Sequence, residues 1–306
     1  MVVMELRHLE YFLAVADTGG FTHAAKRLHV VQSGVSATIK ALERELGSTL
    51  FVRGPDEVSL TAAGRILLPR AREAVDAARA ARDSVRQLDG VLYGTVTLGT
   101  LTSINLIDQP DLLAALRARH PGITVRLRTA VAGSAGLAQR LREGQLDVAF
   151  LSLPGPAPAG LRTRLLATAP LELYVPSAHP LAGVGRVSVA QLAEFPFVDS
   201  PPGFGNRTVA DHVFANAGVE REVTLEVADI GTAAHYIRAG LGIGFLARFL
   251  VGDDTGLETV KVADCDLNWH LTVATSATRR PTAAAQALLE LLEERHPTPE
   301  QRPRRG

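Results

Sequence analysis

The 306-residue chain has a single cysteine, Cys265, so neither an intrachain disulfide nor a two-cysteine redox switch is open to it. No apolar run approaches the roughly 18 residues that a membrane-spanning helix needs. Residues 1–9 lack the basic-then-apolar pattern of a secretory leader. A soluble, cytoplasmic chain with no membrane partner is the expectation. Net charge is missing as well, because 32 Lys and Arg balance 32 Asp and Glu. The N-terminal region does not supply it: residues 1–61 carry six basic groups (Arg7, Lys26, Arg27, Lys40, Arg44, Arg53) against seven acidic ones (Glu5, Glu10, Asp17, Glu43, Glu45, Asp56, Glu57). Charge alone gives no hint of nucleic acid, so any such function has to rest on pattern.

Catalytic and metal signatures are also lacking. The histidines are scattered without an H-E-x-x-H, and "GSAG" at 133–136 is not a G-x-S-x-G nucleophile elbow. Cys265 and His270 have no second pair at zinc spacing, which favours a buried small thiol over a metal ligand. Gly240, Gly242 and Gly244 precede a short strand instead of opening a helix after one, against a dinucleotide role. No metal, no cofactor and no enzyme are indicated.

What is present begins with an apolar content of 46%, that of a folded protein, at a length that predicts two or three domains. Leu6, Leu9, Phe12, Leu13 and Ala16 recur at spacings of three and four, predicting a helix that ends near Gly19-Gly20. Thr22 is placed to cap a short helix that turns Ala25 and Leu28 inward. Val35, Ile39, Leu42 and Leu46 then mark a longer helix stopping at Gly47, a good C-terminal cap. Three helices sharing one small core leave Gln32, Ser33, Ser36, Thr38 and Lys40 on the outer face of the third. Side chains of that kind hydrogen-bond base edges and phosphates from a helix lying in the major groove. Next, "LFVRGPDEVSLT" has apolar residues at 50 and 52, a Gly-Pro turn, then Val58 and Leu60, which predicts a two-stranded wing.

The stretch "FTHAAKRLHVVQSGVSATIKALERELGSTLFVR" followed by "VSLTAAG" resembles, without a gap, the winged helix-turn-helix of LysR-type transcriptional regulators. The resemblance implies DNA contacts from Thr22, Gln32, Ser33, Ser36, Thr38, Lys40 and Arg53. Several positions depart from the family pattern. Val31 and Ser33 stand where a serine and a proline are usual, so Ser33 is expected to cap the recognition helix in place of Val31. Ala37 replaces a common arginine, and the wing tip "GPDE" is acidic, which implies weaker nonspecific binding and a shallower salt dependence. "MELRHLEYF" from Met4 looks like a usual family start, making Met1–Val3 an alternative start.

From Thr61 the chain is rich in Ala and Arg. Leu67, Ala71, Ala74, Ala78, Ala81, Val85, Leu88 and Leu92 fall at alternating steps of four and three, a heptad seam. Arg70, Arg72, Arg79, Arg82 and Arg86 make most of the remaining circumference polar, so this long helix reads as a dimer strut, with Pro69 kinking it or delaying its regular part. Two-fold pairing suits half-sites spaced by helical turns.

Past Gly90, strand and helix signals alternate. "TVTLGT" (95–100), a helix over Asp111–His120, "ITVRLRT", a helix over Gly136–Glu143 and "LDVAFLS" make a βαβαβ pattern. "LPGPAPAGL" breaks the run. "LELYVPS", a helix over Val189–Glu194, "PFVDS", a helix over Arg207–Ala217, "VTLEVA", a helix over Thr232–Ala239 and "GIGFL" make a second set. Here "LREGQLDVAF", "AHPLA" and "IRAGLGIGFLARFL" resemble the family's effector-binding region, similar in architecture to periplasmic solute-binding proteins. The resemblance implies two lobes with two crossovers, lobe I over about 91–163 and 270–296 and lobe II over about 164–269. Ligands of open α/β sheets lie at strand carboxyl ends near helix N-termini, which nominates Thr100, Thr102, Ser103, Ser134, Phe204 and Thr232 for a small organic acid or other anion.

The expected protein is therefore multi-domain: an all-α winged helix-turn-helix over 1–61, a linker helix over 62–90 and a two-lobed α/β effector-binding domain over 91–306. It is expected to be a ligand-responsive transcriptional regulator that reads a two-fold operator in double-stranded DNA as a homodimer assembling to a homotetramer. The alternative is a cytoplasmic solute-binding module or an enzyme on the same two-lobed scaffold. The single cysteine argues against likeness to peroxide-sensing family members that pair two.

Overall fold

The computed structural model describes residues 4–54, 58–86, 91–102, 106–129, 131–251, 256–263 and 265–297. Met1–Val3, the wing-tip acids Asp56 and Glu57, the seam residue Leu88 and the site candidate Ser103 lie outside the described residues. The chain forms two compact units that divide at Gly94–Thr95.

The first unit runs α1 (Leu6–Thr18), α2 (Phe21–Leu28), α3 (Gln32–Leu46), β1 (Phe51–Arg53), β2 (Val58–Leu60) and α4 (Ala62–Arg86). Helices α1 and α3 stop on the left-handed glycines Gly19 and Gly47. No glycine closes α2. His29 adopts φ 57° there, and the amides of His29 and Val30 return to the carbonyls of Lys26 and Ala25. An unbranched polar side chain bears that conformation better than a β-branched one.

Two capping expectations are corrected. Thr22 lies inside α2, whose N-cap is Gly20, and Ser33 lies inside α3, whose N-cap is Val31; no side chain caps either helix. The amides of Gly34 and Val35 both bond the Val31 carbonyl, so the backbone turn sets the start of α3. Leu6 and Leu46, expected inward, are 37% and 40% exposed because the helix ends overrun the core.

That core gathers Phe12, Phe21, Val35, Ile39, Leu42, Leu50 and Phe51. Burying each of the larger side chains contributes about 1.5–3 kcal/mol. Phe51 stands 5.3 Å from Phe12 and 5.8 Å from Phe21, ring centre to ring centre, and is the inward residue of β1, whereas Val52 is 54% exposed. The wing pairs antiparallel, Phe51 opposite Leu60 and Arg53 opposite Val58.

Helix α4 continues through Pro69. Leu68, Ala71 and Val75 enter the same core as α1, α2 and α3. Ala71, expected on the dimer seam, is thus consumed within its own subunit, and Arg72, expected on a polar surface, is buried. The helix carries two adjacent apolar faces, and spacing alone did not separate them. Of the expected seam, Leu67 packs partly on the core, Ala78 is half-buried, and Ala74, Ala81 and Val85 are exposed. The start of α4 is held by Thr61, whose amide donates to the Leu50 carbonyl and whose hydroxyl accepts the Gly64 amide at 3.0 Å.

The second unit comprises β3 (Gly94–Thr100, its first residue at the division), α5 (Gln109–Arg119), β4 (Ile123–Thr129), α6 (Gly133–Arg142), β5 (Val148–Leu151), β6 (Leu161–Pro176), β7 (Arg186–Val187), α7 (Val189–Leu192), β8 (Phe197–Asp199), α8 (Gly205–Ala217), β9 (Val223–Glu226), α9 (Ile230–Arg238), β10 (Gly244–Ala247), α10 (Arg248–Val251), β11 (Leu257–Val262), β12 (Asn268–Ser276) and α11 (Ala283–Arg295). The main sheet has the order β4-β3-β5-β12-β6-β11-β7, with β10 also on β6, and β8 pairs with β9 separately. Strand β6 spans both lobes. Its first part pairs antiparallel with β12 through Pro170, and from Leu171 it pairs with β10 and β11. The pairing partners of this strand therefore change at Pro170–Leu171. The return passes between β11 and β12.

Replacing Gly64 by Ala would place a Cβ 2.3 Å from the Leu50 carbonyl oxygen. The expected result is a loss of about 1–3 kcal/mol from the first unit by overpacking. Calorimetry of the full chain should show its transition lowered and that of the α/β unit unmoved; an unchanged first transition would refute the close approach.

Candidate DNA interface and interlobe site

On α3, Gln32, Ser33, Ala37, Lys40 and Arg44 are exposed and Ser36 is half-exposed. Val35, Ile39 and Leu42 on the opposite side have no exposed surface. One face is thus committed to the core and the other is largely free. Thr38 departs from the expected set: it is half-buried, and its hydroxyl donates to the Gly34 carbonyl at 2.9 Å, so its proton is used within the helix. Thr22, on α2, is exposed. Arg53 lies on the wing with its guanidinium 4.5 Å from the centre of the Phe21 ring, which steadies an exposed cation beside the reading head. Glu43, which the sequence did not single out, accepts the amides of Leu50 and Phe51 at 2.8 and 3.4 Å and ties the end of α3 to the wing.

In the α/β unit, β3 and β5 run parallel, with Gly99 opposite Ala149, so Thr100 and Ser152 both emerge at carboxyl ends. Thr100 is 3% exposed and donates to Gln109 Oε1 at 2.9 Å. Ser134, at the start of α6, is fully buried and its hydroxyl accepts the Ser152 amide at 2.8 Å. Phe204, 7% exposed, caps the start of α8 and lies against Gly133. Thr102 is exposed. Thr232 lies in the first turn of α9, which starts at Ile230, and its hydroxyl donates at 2.6 Å to Asp229, the N-cap.

The structure therefore brings Ser134 and Phe204 together across the lobes. Ser152, bonded to Ser134, and Asn206, next to Gly205 on α8, lie beside them, while Gln109 is bonded to Thr100; sequence reasoning missed all three. Gln109 Nε2, Ser152 Oγ and Asn206 Nδ2 are buried without a hydrogen-bond partner within the protein. Ser152 ends "LDVAFLS", so the strand-end rule already applied to Thr100 would have found it; Gln109 and Asn206 carried no comparable signal.

Backbone contacts close this region. The Ala135 amide donates to the Gly203 carbonyl at 3.1 Å, linking the N-terminus of α6 to the loop before α8. Gly133 and Gly203 adopt φ of 57° and 90°, and a Cβ on Gly133 would lie 2.7 Å from the Gly203 oxygen. Behind the loop, Asp199 accepts the Ser200 amide at 2.7 Å and pairs with Arg221 at 2.5 Å. Arg221 in turn lies over the rings of Phe197 and Phe214. Burial pushes the Asp199 carboxyl above its usual range, opposed by the pull of Arg221, the Ser200 amide and Arg207. Arg207 adds bonds to Asp211 and Glu226.

A separate cavity of about 370 Å³ is lined in part by Pro154, His212, Asn216, Cys265, Asp266 and His270. Cys265 is half-exposed, correcting the expectation of a buried thiol, because the return segment runs along the surface there. Among the described residues no group of three or more His, Cys, Asp and Glu is placed to hold a metal. No helix among them is long and apolar enough to cross a membrane.

A winged reading head with a free polar helix face, carried by a chain whose α/β unit places buried polar groups between two lobes, defines a DNA-binding protein with a ligand-responsive domain. Residues 6–65 match the family described as bacterial regulatory helix-turn-helix protein, lysR family, and residues 89–297 match the LysR substrate binding domain. The chain belongs to the LysR family of DNA-binding transcriptional regulators. It is 36% identical over 248 residues to the HTH-type transcriptional regulator ShiR of Corynebacterium glutamicum, covering 78% of this chain and 81% of that one. It is 29% identical to the RuBisCO operon transcriptional regulator of Allochromatium vinosum over 92% of this chain and 94% of that one. Its fold is similar to that of full-length OxyR C199D from Pseudomonas aeruginosa, with TM-score 0.67 at 23% identity over 96% of each chain. It is also similar to CbnR solved with its target DNA, with TM-score 0.57 at 24% identity over 95% of this chain and 99% of that one.

A Cβ on Gly205 would lie 2.5 Å from Ser152 Oγ and 2.6 Å from its carbonyl oxygen. Gly205→Ala is expected to cost the α/β unit about 1–3 kcal/mol. Urea unfolding followed at this unit should show the earlier midpoint, and an unshifted midpoint would mean that the two lobes do not meet here.

Proposed function

We propose that this regulator reads a two-fold operator with the face of α3 carrying Gln32, Ser33, Ser36 and Lys40, assisted by Thr22 and Arg53. The observation that carries the reading is the division of α3 into a buried apolar face and a largely free polar one. Thr38 contributes through the helix backbone it braces. Two subunits pair along Leu67, Ala74, Ala78, Ala81, Val85 and Leu88 of the helix over 62–90, where alanines permit close approach. Two such dimers form a tetramer in the cytoplasm.

The effector is a small organic acid or other small anion held between lobe I and lobe II. Supporting this are the unpartnered buried amides of Gln109 and Asn206, the hydroxyl of Ser152, and the N-termini of α6 and α8, which meet through Ala135 and Gly203. Thr100 at the end of β3, Thr102 just after it and Ser134 at the start of α6 belong to the same proposed site, as does Ser103. Neutral donors and helix ends hold a carboxylate without a buried cation. Thr232 serves its own helix first. The effector acts by binding two arrangements of the subunits unequally, which is the condition for any shift between them. This role is that of a regulator and not of an enzyme on the two-lobed scaffold.

Replacing Ser36 and Lys40 together by Ala should abolish operator binding, measured by gel shift, and leave ligand-induced stabilisation intact; retained operator binding would remove α3 as the reading helix. A thermal-shift screen of the full chain against small carboxylates, amino acids, sugars and phosphates tests the effector. A ligand at 100 times its Kd stabilises by about 2.7 kcal/mol, a shift of a few degrees. A response to sugars alone would overturn the anion assignment.

A further inference from the structure

Asp17 on α1 is shared by two cations. Arg27 of α2 lies 3.1 Å from one carboxylate oxygen, and Arg72 of α4 engages both oxygens through its two terminal nitrogens. The Arg72 side chain is 7% exposed and that of Asp17 12%, whereas Arg27 is 54% exposed. Among the described residues of the first unit, Arg72 and His8 are the buried polar or charged ones. Arg72 Nε has no hydrogen-bond partner within the protein, so the guanidinium is desolvated at real cost.

Net stability does not account for such a pair, because desolvation offsets most of the attraction of buried ions and apolar residues of the same volume serve as well or better. Geometry does account for it. Ala14, Val15, Leu68, Ala71 and Val75 share the core between α1 and α4, and most of these are small. Apolar burial has no direction and tolerates a slide or a turn of one helix on another. A guanidinium forked on a carboxylate has one favoured geometry. Arg27 extends the same carboxylate to α2, so α1, α2 and α4 meet at one side chain.

We propose that the Asp17–Arg72 pair is a positioning pair that locks the reading head to α4 and thereby sets the operator half-site spacing that a dimer accepts. The inference rests on the reading of α4 as the pairing helix. If two copies pair along α4, the separation of their α3 helices follows from the angle between each head and its α4. A head held at one angle matches one spacing, since half-sites must present the same groove face. A head free to turn would match several.

The test uses the full chain and the D17N/R72M variant, each presented with a library of random-sequence duplex DNA, with the selected sites sequenced. The unvaried chain should select two-fold sites with one dominant spacing. The variant should select the same half-site sequence at several spacings, its preference for the dominant one falling about tenfold, equivalent to about 1.4 kcal/mol. Affinity for a single half-site should stay within about threefold, because the pair is replaced by groups of similar volume. Retention of the single spacing, or an equal loss at every spacing, overturns the proposal in favour of a purely structural pair. Selection of unpaired half-sites by the unvaried chain would instead sink the dimer reading and the proposal with it. Should D17N/R72M fail to fold, Arg72→Lys keeps the charge and removes the fork, and the same broadening is expected of it.

Discussion

Helix α3 gives only one face to a core and leaves the other free, and the first unit is organised around that constraint. Val35, Ile39 and Leu42 are all that α3 contributes inward. The remaining burial has to come from α1, α2, the wing and the first half of α4. This explains why the connecting helix spends Leu68, Ala71 and Val75 on the reading head instead of reserving them for another subunit. It also explains Gly64, where a side chain would prevent α4 from starting against the end of the α3–wing connection.

The α/β unit meets a different constraint, the approach of two lobes that share strands. Because β6 pairs with β12 and then with β10 and β11, the lobes are joined through a sheet and not only through linkers. Between them, glycines at 133, 203 and 205 allow backbone to touch backbone, and the Asp199–Arg221–Arg207 cluster holds the loop that makes the contact. Gln109 Nε2, Ser152 Oγ and Asn206 Nδ2 are buried in this unit without partners in the protein, and an unmade hydrogen bond of that kind is costly.

The reading head was legible because its signals are local. The stripe Val35, Ile39 and Leu42, the terminal glycines Gly19 and Gly47 and the outward run from Gln32 to Lys40 each express a helical repeat or a backbone preference. Errors arose where two local signals competed. Val31 and Ser33 were weighed by capping chemistry, but the backbone turn at Val31 decided the start of α3. Ala71 and Arg72 were weighed by heptad spacing, but α1 lay against that side of the helix. In the α/β unit, the rule that sites follow strand ends nominates Thr100 and Ser134. Gln109 and Asn206 depend on which loops meet, and Cys265 on which surface the return segment follows.

By itself the sequence determined the identities of the three N-terminal helices, the wing, the alternation of strands and helices after Gly90, and the family to which they belong. These are properties of periodicity and backbone preference within a few turns of chain. Tertiary structure alone decided which apolar face of α4 is buried at home, which carboxylate holds Arg72, and which backbone segments meet at Gly133, Gly203 and Gly205. Those outcomes join residues far apart in the chain, and no repeat or local preference encodes a contact whose partner arrives from another element.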